Sequence, residues 1–301
     1  MKVLVTGAMG FTGRQLVPQL LAAGHTLRAL VRTPQDIPGV ESISGALPDA
    51  TLCRTLCAGM DAVVHLAAVA HVNASTELLK TCNLDATLEL ARAAKAQGVR
   101  KFVFMSSSKA RYPGHSAYAR YKAAAETELR KLHEAKVFEV VCLRPALIYG
   151  RGMQGNLRGL LRLLARPFLP VFVASNNSLG LISVQDVSRA VVVALGTDTL
   201  PDQVWELADG THYTLTGLVR DVRATLGLAP PALVLPRPLF WLLAALASRL
   251  TPVLKTSLSL STYNALFAEH YRHDLQFSLH TGFAPQDSLR ARLTELLENM
   301  Q

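Results

Sequence analysis

Residues 2–13, KVLVTGAMGFTG, carry an apolar run straight into three glycines spaced three apart, Gly7, Gly10 and Gly13, and then into a segment of helical spacing. A strand that feeds such a turn and leaves it as a helix opens a β-α-β unit, and the chain keeps that rhythm. The pattern predicts strands over 2–6 and 26–31 around a helix over 12–23 closed by Gly24, then a strand near 40–44, a short helix around 49–58 and an apolar strand over 61–67. A helical stretch ending at Gly98, a strand over 101–105, a helix over 116–135 and a strand over 137–143 follow. Six strands alternating with helices imply an α/β fold built on a doubly wound parallel sheet.

After Gly150 the alternation stops. Helices are expected over 156–165 and 186–195, with irregular to extended chain over 168–173, and prolines at 230, 231, 236, 238 and 252 interrupt the apolar runs beyond. The expected division is 1–150 for the sheet, with a return near 171–195, and 151–301 mainly as a smaller lobe over its open end. A content of 50% hydrophobic residues in 301 is ample for a buried core. The start, MKVLVTG, lacks the long apolar region of a secretory signal, so a cytoplasmic location is expected. Cys53, Cys57, Cys82 and Cys142 show no Cys-x-x-Cys spacing and read as free thiols. The net charge of +9 comes from scattered Lys and Arg, which suits phosphates on a small molecule better than nucleic acid. No metal is expected, because His270-x-x-His273 has no third ligand at a suitable spacing. The apolar block 238–248 falls short of the roughly 20 residues that span a bilayer and reads as a buried helix rather than one resting on a membrane surface.

A turn of this kind, Rossmann-type when it joins a first strand to a first helix, brings backbone N–H groups and the positive helix end to a dinucleotide pyrophosphate. The expected contacts are Gly7, Gly10, Phe11, Thr12 and Gly13. The end of the second strand decides the dinucleotide, since an acid there favours a free ribose hydroxyl and a base a 2′-phosphate. Here stand Leu30-Val31-Arg32, with Arg14 directly after the last glycine and Asp36 too far along, so NADP is favoured over NAD.

Tyr118 and Lys122 lie at i and i+4, on one helix face, shortly after Ser106, Ser107 and Ser108. A phenol titrates near about 10, and the Lys122 ammonium together with the positive charge of a bound nicotinamide ring is expected to lower it toward the working range. With a serine hydroxyl holding the substrate oxygen, this set can move a proton to or from a carbinol. Tyr121 faces elsewhere on the helix and is expected to pack.

In order, TGAMGFTG, Asp61-Ala-Val-Val-His-Leu-Ala-Ala68, Phe102-Val-Phe-Met-Ser-Ser107, Tyr118-x-x-x-Lys122 and Leu143-Arg-Pro-x-x-x-Tyr-Gly150 resemble an extended short-chain dehydrogenase/reductase. More narrowly, the chain resembles the NAD-dependent epimerase/dehydratase group, whose members typically act on nucleotide-activated sugars. The likeness covers about the first 150 residues and continues loosely through Ser183-Val-Gln-Asp186 and Gly282-Phe-Ala-Pro285. It implies that Ser107 is the catalytic serine, with Ser106 and Ser108 as alternatives, beside Tyr118 and Lys122, which also contact the dinucleotide, Lys122 by anchoring its ribose. It also implies that Leu66, Ala67 and Ala68 line the nicotinamide side, that Pro145 closes over it, and that Asn83 supports the catalytic helix from behind. Substrate contacts are expected from His71, Ser107, Ser108, Arg151 and Asn156, with Tyr112, Arg158 and Arg162 available. The sequence departs from the group where Gly45-Ala46-Leu47 replaces an acid at the adenine edge, leaving Leu47 there, and in the short interval from Ser107 to Tyr118.

The resemblance implies hydride transfer at C4 of a nucleotide-activated sugar, by reduction of a 4-keto sugar or by epimerisation, in a possible homodimer. Dehydration is disfavoured, because Ser108-Lys109 stands where an Asp-Glu pair is usual. An apolar alcohol dehydrogenase is the alternative raised by the leucine-rich residues 233–250, and a non-catalytic dinucleotide sensor is another.

Overall fold

The computed structural model describes residues 1–70, 74–168, 171–173, 177–198, 200–201, 203–231, 233–235, 239, 241–242, 245 and 275–298. The chain divides into two compact units, the first comprising Met1–Ile148, Ile182–Leu207 and Asp274–Gln286, the second the intervening and terminal residues.

The first unit is a sheet with helices against it. Strands β1 (Lys2–Thr6), β2 (Thr26–Val31), β3 (Val40–Ser44), β4 (Ala62–His65), β5 (Lys101–Met105) and β6 (Glu139–Pro145) join Val204–Leu207 in seven strands. From one edge the order is Val204–Leu207, β6, β5, β4, β1, β2, β3, and every neighbouring pair is parallel. Helices α1 (Gly13–Ala22), α2 (Ala50–Cys57), α3 (Thr76–Lys80), α4 (Ala86–Ala96) and α5 (Ala117–Leu132) run between them, and Thr81–Asp85 winds as a π-turn that joins α3 to α4.

Burial explains the strand composition. β5, KFVFM, is buried throughout, as a central parallel strand covered on both faces must be. Its Phe102 and Phe104 join Leu4 and Val63 in a core with Leu56 of α2, Leu90 and Ala94 of α4, and Ala125 and Leu129 of α5. α1 packs against Val184–Gly196. The order reverses between β1 and β4, and it is outside the carboxyl ends of strands at such a reversal that α/β sheets bind ligands.

The sequence rhythm matched the first six strands and missed the seventh. Val204–Leu207 returns to the β6 edge from outside the alternating region, pairing Trp205 with Leu143 and Leu207 with Pro145. In the second unit Asn156–Leu164 and Leu215–Thr225 are helical, and Arg223 ties their ends by donating to the Leu164 and Arg166 carbonyls, each at 3.1 Å. His270, His273 and most of the block 238–248 lie outside the described residues. Among the described residues no helix is long and apolar enough to cross a membrane, and no cluster of His, Cys, Asp or Glu could hold a metal ion.

Candidate active site

Thr6 and His65 are register partners at the ends of β1 and β4, so the glycine turn and Leu66–Ala68 leave the sheet side by side. Gly7 has φ +74°, and a Cβ there would stand 2.8 Å from the Ala67 nitrogen. A Cβ on Gly13 would stand 2.2 Å from the Gly7 oxygen and 2.5 Å from that of Ala8. Gly10 differs: it is exposed, and only the Gly7 oxygen, at 3.1 Å, would meet its Cβ. The protein's own backbone therefore demands Gly7 and Gly13, whereas Gly10 keeps the outer surface of the turn bare.

That bare surface leads into an uncapped helix. Thr12 precedes α1 without a side-chain cap hydrogen bond and the first turn holds no acid, whereas Asp49 and Ser116 cap α2 and α5. Positive potential without a competing carboxylate fits a dinucleotide pyrophosphate, with Phe11 and Thr12 half-buried beside it. Gly10→Ala should hold the melting temperature within about 2 °C of wild type and weaken dinucleotide binding by ~10-fold or more in a fluorescence titration. Unchanged affinity with lost stability would restrict Gly10 to a role in the turn.

Arg32 stands exposed one residue past β2, whose Leu30 pairs with Thr6. Leu47, a few residues past β3, is partly buried against the core. Behind the turn, buried His65 bridges Thr6 Oγ1 at 2.7 Å and Thr87 Oγ1 at 3.1 Å. Burial first, and then the Lys122 charge, push its pKa down to about 3, so the ring stays neutral. The Thr6 hydroxyl oxygen also accepts from the Ala67 N–H at 3.3 Å. Asn83, fully buried in the π-turn, accepts from the Val69 N–H at 3.0 Å and donates to the Val69 carbonyl at 2.8 Å. Its side chain thus holds the segment leaving β4, while the π-turn itself packs against α5.

β5 delivers three serines to the same sheet end, in three different environments. Ser106 is buried, its N–H donates to the Leu143 carbonyl at 2.7 Å, and its hydroxyl donates to the Glu126 carboxylate. Ser107 caps a 3-10 turn, Ser108–Arg111, accepting from the Lys109 N–H at 3.3 Å, and its side chain lies near enough to Tyr118 to oppose the rise of the phenol's pKa. Ser108 is half-buried within that turn.

Tyr118 is the second residue of α5, whose start is fixed by the Ala119 N–H donating to Ser116 Oγ at 3.1 Å. Lys122, one turn further, is 1% exposed. Its ammonium donates to the Met105 carbonyl at 2.7 Å and lies 4.4 Å from the centroid of the Phe104 ring. Burial pushes the phenol up to about 12, opposed by the Ser107 hydrogen bond. Burial likewise pulls Lys122 down to about 7 against the pull of Glu126. The expectation of a phenol lowered by Lys122 is thereby corrected: the amine is turned to Met105, desolvation prevails, and Tyr118 is protonated at neutral pH. It is a proton donor with a hydroxyl beside it and a buried amine on the same helix face.

Tyr121 packs under the Arg120 guanidinium, 5.2 Å from its ring centroid, and Tyr112 stacks on His115. Pro145 is buried at the end of β6. Ala68 is exposed beyond half-buried Leu66 and Ala67. Arg151 is exposed in the second unit, where Asn156 begins a helix, and His71 lies outside the described residues. Sequence reasoning passed over Glu126, Arg144, Glu206 and Arg111, which form a buried ionic chain behind the serines. The one local signal was Glu126 at i+4 from Lys122.

The chain has relatives among known proteins, in sequence and in fold. UDP-glucose 4-epimerase of Vibrio cholerae is 28% identical over 261 residues, 79% of each chain. Ceramide reductase of Caulobacter vibrioides is 34% identical over 245 residues, 78% of this chain and 74% of that one. The structure of MoeE5 with UDP-glucuronic acid and NAD superposes with a TM-score of 0.72 at 21% identity, covering 99% of this chain and 98% of that one. Residues 3–208, which span all seven strands of the sheet, match the NAD dependent epimerase/dehydratase family, and the chain belongs to it.

Proposed function

We propose that this chain is an NAD(P)-dependent oxidoreductase that interconverts a carbonyl and a carbinol at C4 of a nucleotide-activated sugar, by 4-keto reduction or 4-epimerisation. The observation that carries the reading is the Tyr118 phenol near the start of α5, with Ser107 beside it at the carboxyl end of the sheet and Lys122 buried one turn along the same helix. Gly7, Gly10, Phe11, Thr12 and Gly13 would hold the pyrophosphate, Arg32 and Leu47 the adenosine end, and Leu66, Ala67, Ala68 and Pro145 the nicotinamide side. Exposed Arg32, with no acid at the end of β2, favours the 2′-phosphate of NADP. Bound nicotinamide would supply or accept the hydride.

Tyr118 acts on the substrate oxygen. In reduction its O–H bond breaks and the proton passes to that oxygen, completing the alcohol and leaving a phenolate on the face it shares with Lys122. Ser107 orients the same oxygen by hydrogen bonding. In oxidation a phenolate takes the proton from the alcohol, so epimerisation, which begins with that half-reaction, requires Tyr118 to be ionised first and then the ketone to turn before hydride returns.

A second reading is favoured by one structural feature and one relative. Phe168, Leu239, Trp241 and Leu242 of the second unit are 71%, 42%, 50% and 48% exposed, and a 34% identical relative is named ceramide reductase. Both suit an apolar, long-chain ketone or alcohol. Purified protein assayed with NAD⁺ and NADP⁺ against UDP-glucose, and with NADH and NADPH against a dTDP-4-keto sugar and a 3-keto long-chain ceramide, separates the two. Turnover of a nucleotide sugar alone is the expected outcome. Turnover of the ceramide alone would transfer the same chemistry to an apolar substrate, and turnover of none by folded protein would overturn the proposal.

A further inference from the structure

Behind Ser107 runs a chain of alternating charges that links four elements of the first unit. Arg111, the last residue of the serine turn, donates to Glu206 Oε1 from Nε at 3.2 Å and from Nη2 at 3.0 Å. Arg144 of β6 donates to the same oxygen from Nη1 at 3.3 Å. On its other side Arg144 grips Glu126 of α5, Nε to Oε1 at 2.8 Å and Nη2 to Oε2 at 2.5 Å. Ser106 closes the chain by donating to Glu126 Oε1. The Glu126 and Glu206 side chains are 4% and 5% exposed, so each carboxylate depends on its guanidinium partners for the solvation it has lost.

The connectivity matters more than the energy. Ser106 and Arg111 flank Ser107 on either side, and both are tied into this chain. Glu126 lies one helical turn from Lys122, and Glu206 sits on the strand that sequence periodicity had missed. Hydroxyl rotors on a free surface turn would sample many directions; a turn held at both ends presents Ser107 in one.

We propose that Arg111 and Glu206 are positioning residues: they clamp the serine turn to the edge strand and so hold the Ser107 hydroxyl toward Tyr118. The proposal rests on the reading of Ser107 and Tyr118 as the reacting pair, and it acts through Ser107 rather than by contact with substrate.

The test is a double-mutant cycle combined with hydrogen exchange. Arg111→Gln leaves Glu206 paired with Arg144, so the fold is retained, and it should lower kcat by up to about 100-fold with dinucleotide affinity unchanged. Ser107→Ala should cost about 100- to 1,000-fold, and adding Arg111→Gln to it should cost nothing further, because the group being positioned is gone. Glu206→Gln is the second variant, expected to show the same non-additivity. In protein without added dinucleotide, amides of residues 106–112 should exchange faster in Arg111→Gln while peptides of α1 and β2 stay as in wild type. Costs that add in the Ser107→Ala background, or unaltered exchange in the turn, would overturn the proposal. Should wild type turn over none of the substrates above, the functional reading fails while the exchange experiment still decides whether Arg111 fastens the turn.

Discussion

Tyr118→Phe should reduce turnover by about 100- to 10,000-fold while dinucleotide affinity and melting temperature stay at wild-type values. The substitution deletes one oxygen and keeps the ring, so the packing of a half-buried side chain near the start of α5 is conserved. What disappears is the proton donor. Burial holds the Tyr118 pKa up at about 12, above that of an ordinary phenol, so its proton is present throughout the neutral range. Ser107 keeps its place as the cap of Ser108–Arg111, accepting from the Lys109 N–H. Steady-state rates, a dinucleotide titration and a thermal melt on the same preparation check the prediction. A variant that retained its rate would make Tyr118 a packing residue, and if wild type bound dinucleotide without turning over any substrate the sensor reading would gain.

Gly13→Ala should be the most damaging single methyl in the glycine turn, destabilising the protein by about 3 kcal/mol and abolishing measurable dinucleotide binding. Its Cβ would press on the Gly7 oxygen at 2.2 Å and on the Ala8 carbonyl carbon at 2.6 Å, and both are backbone atoms without rotamers to yield. The Gly7 carbonyl cannot retreat cheaply, because it accepts the Gly10 N–H at 2.9 Å and Gly7 itself is held at positive φ against Ala67. Relief therefore means opening the turn or tilting α1 away from β1. Either movement disperses the N–H groups that would face a pyrophosphate. Thermal denaturation and a dinucleotide titration check the two parts, and wild-type stability would show that the turn relaxes at little cost. Set beside Gly10→Ala, the pair separates glycines needed by the fold from a glycine needed by a ligand.

The legible part of this protein is the part written locally. Apolar runs such as Lys101–Met105, glycine spacing at Gly7, Gly10 and Gly13, and the i, i+4 pair Tyr118 and Lys122 are short-range signals, and the alternation between them orders a parallel sheet. Val204–Leu207 was invisible because its partner, β6, lies some sixty residues earlier and no alternation leads to it. The Arg111, Glu206, Arg144 and Glu126 chain escaped for the same reason, since charges on separate elements pair only after the sheet has formed. Among the three serines the resemblance pointed to Ser107 and left Ser106 and Ser108 open, and their surroundings differ once β5 is placed, with Ser106 donating to Glu126 and Ser107 lying near Tyr118. The direction of the Tyr118 shift was misjudged because spacing reveals which charge is near but not how much water has been removed.

The proposed chemistry requires a dinucleotide lying over the bare face of Gly10 with its reactive ring at the Tyr118 phenol. A crystal structure grown with NADP⁺ or NAD⁺ examines this at once. The pyrophosphate should lie against residues 10–13 and the nicotinamide should face the Tyr118 hydroxyl beside Ser107. A dinucleotide bound elsewhere, or one seated on the turn with Tyr118 directed away from its nicotinamide, would contradict the assignment.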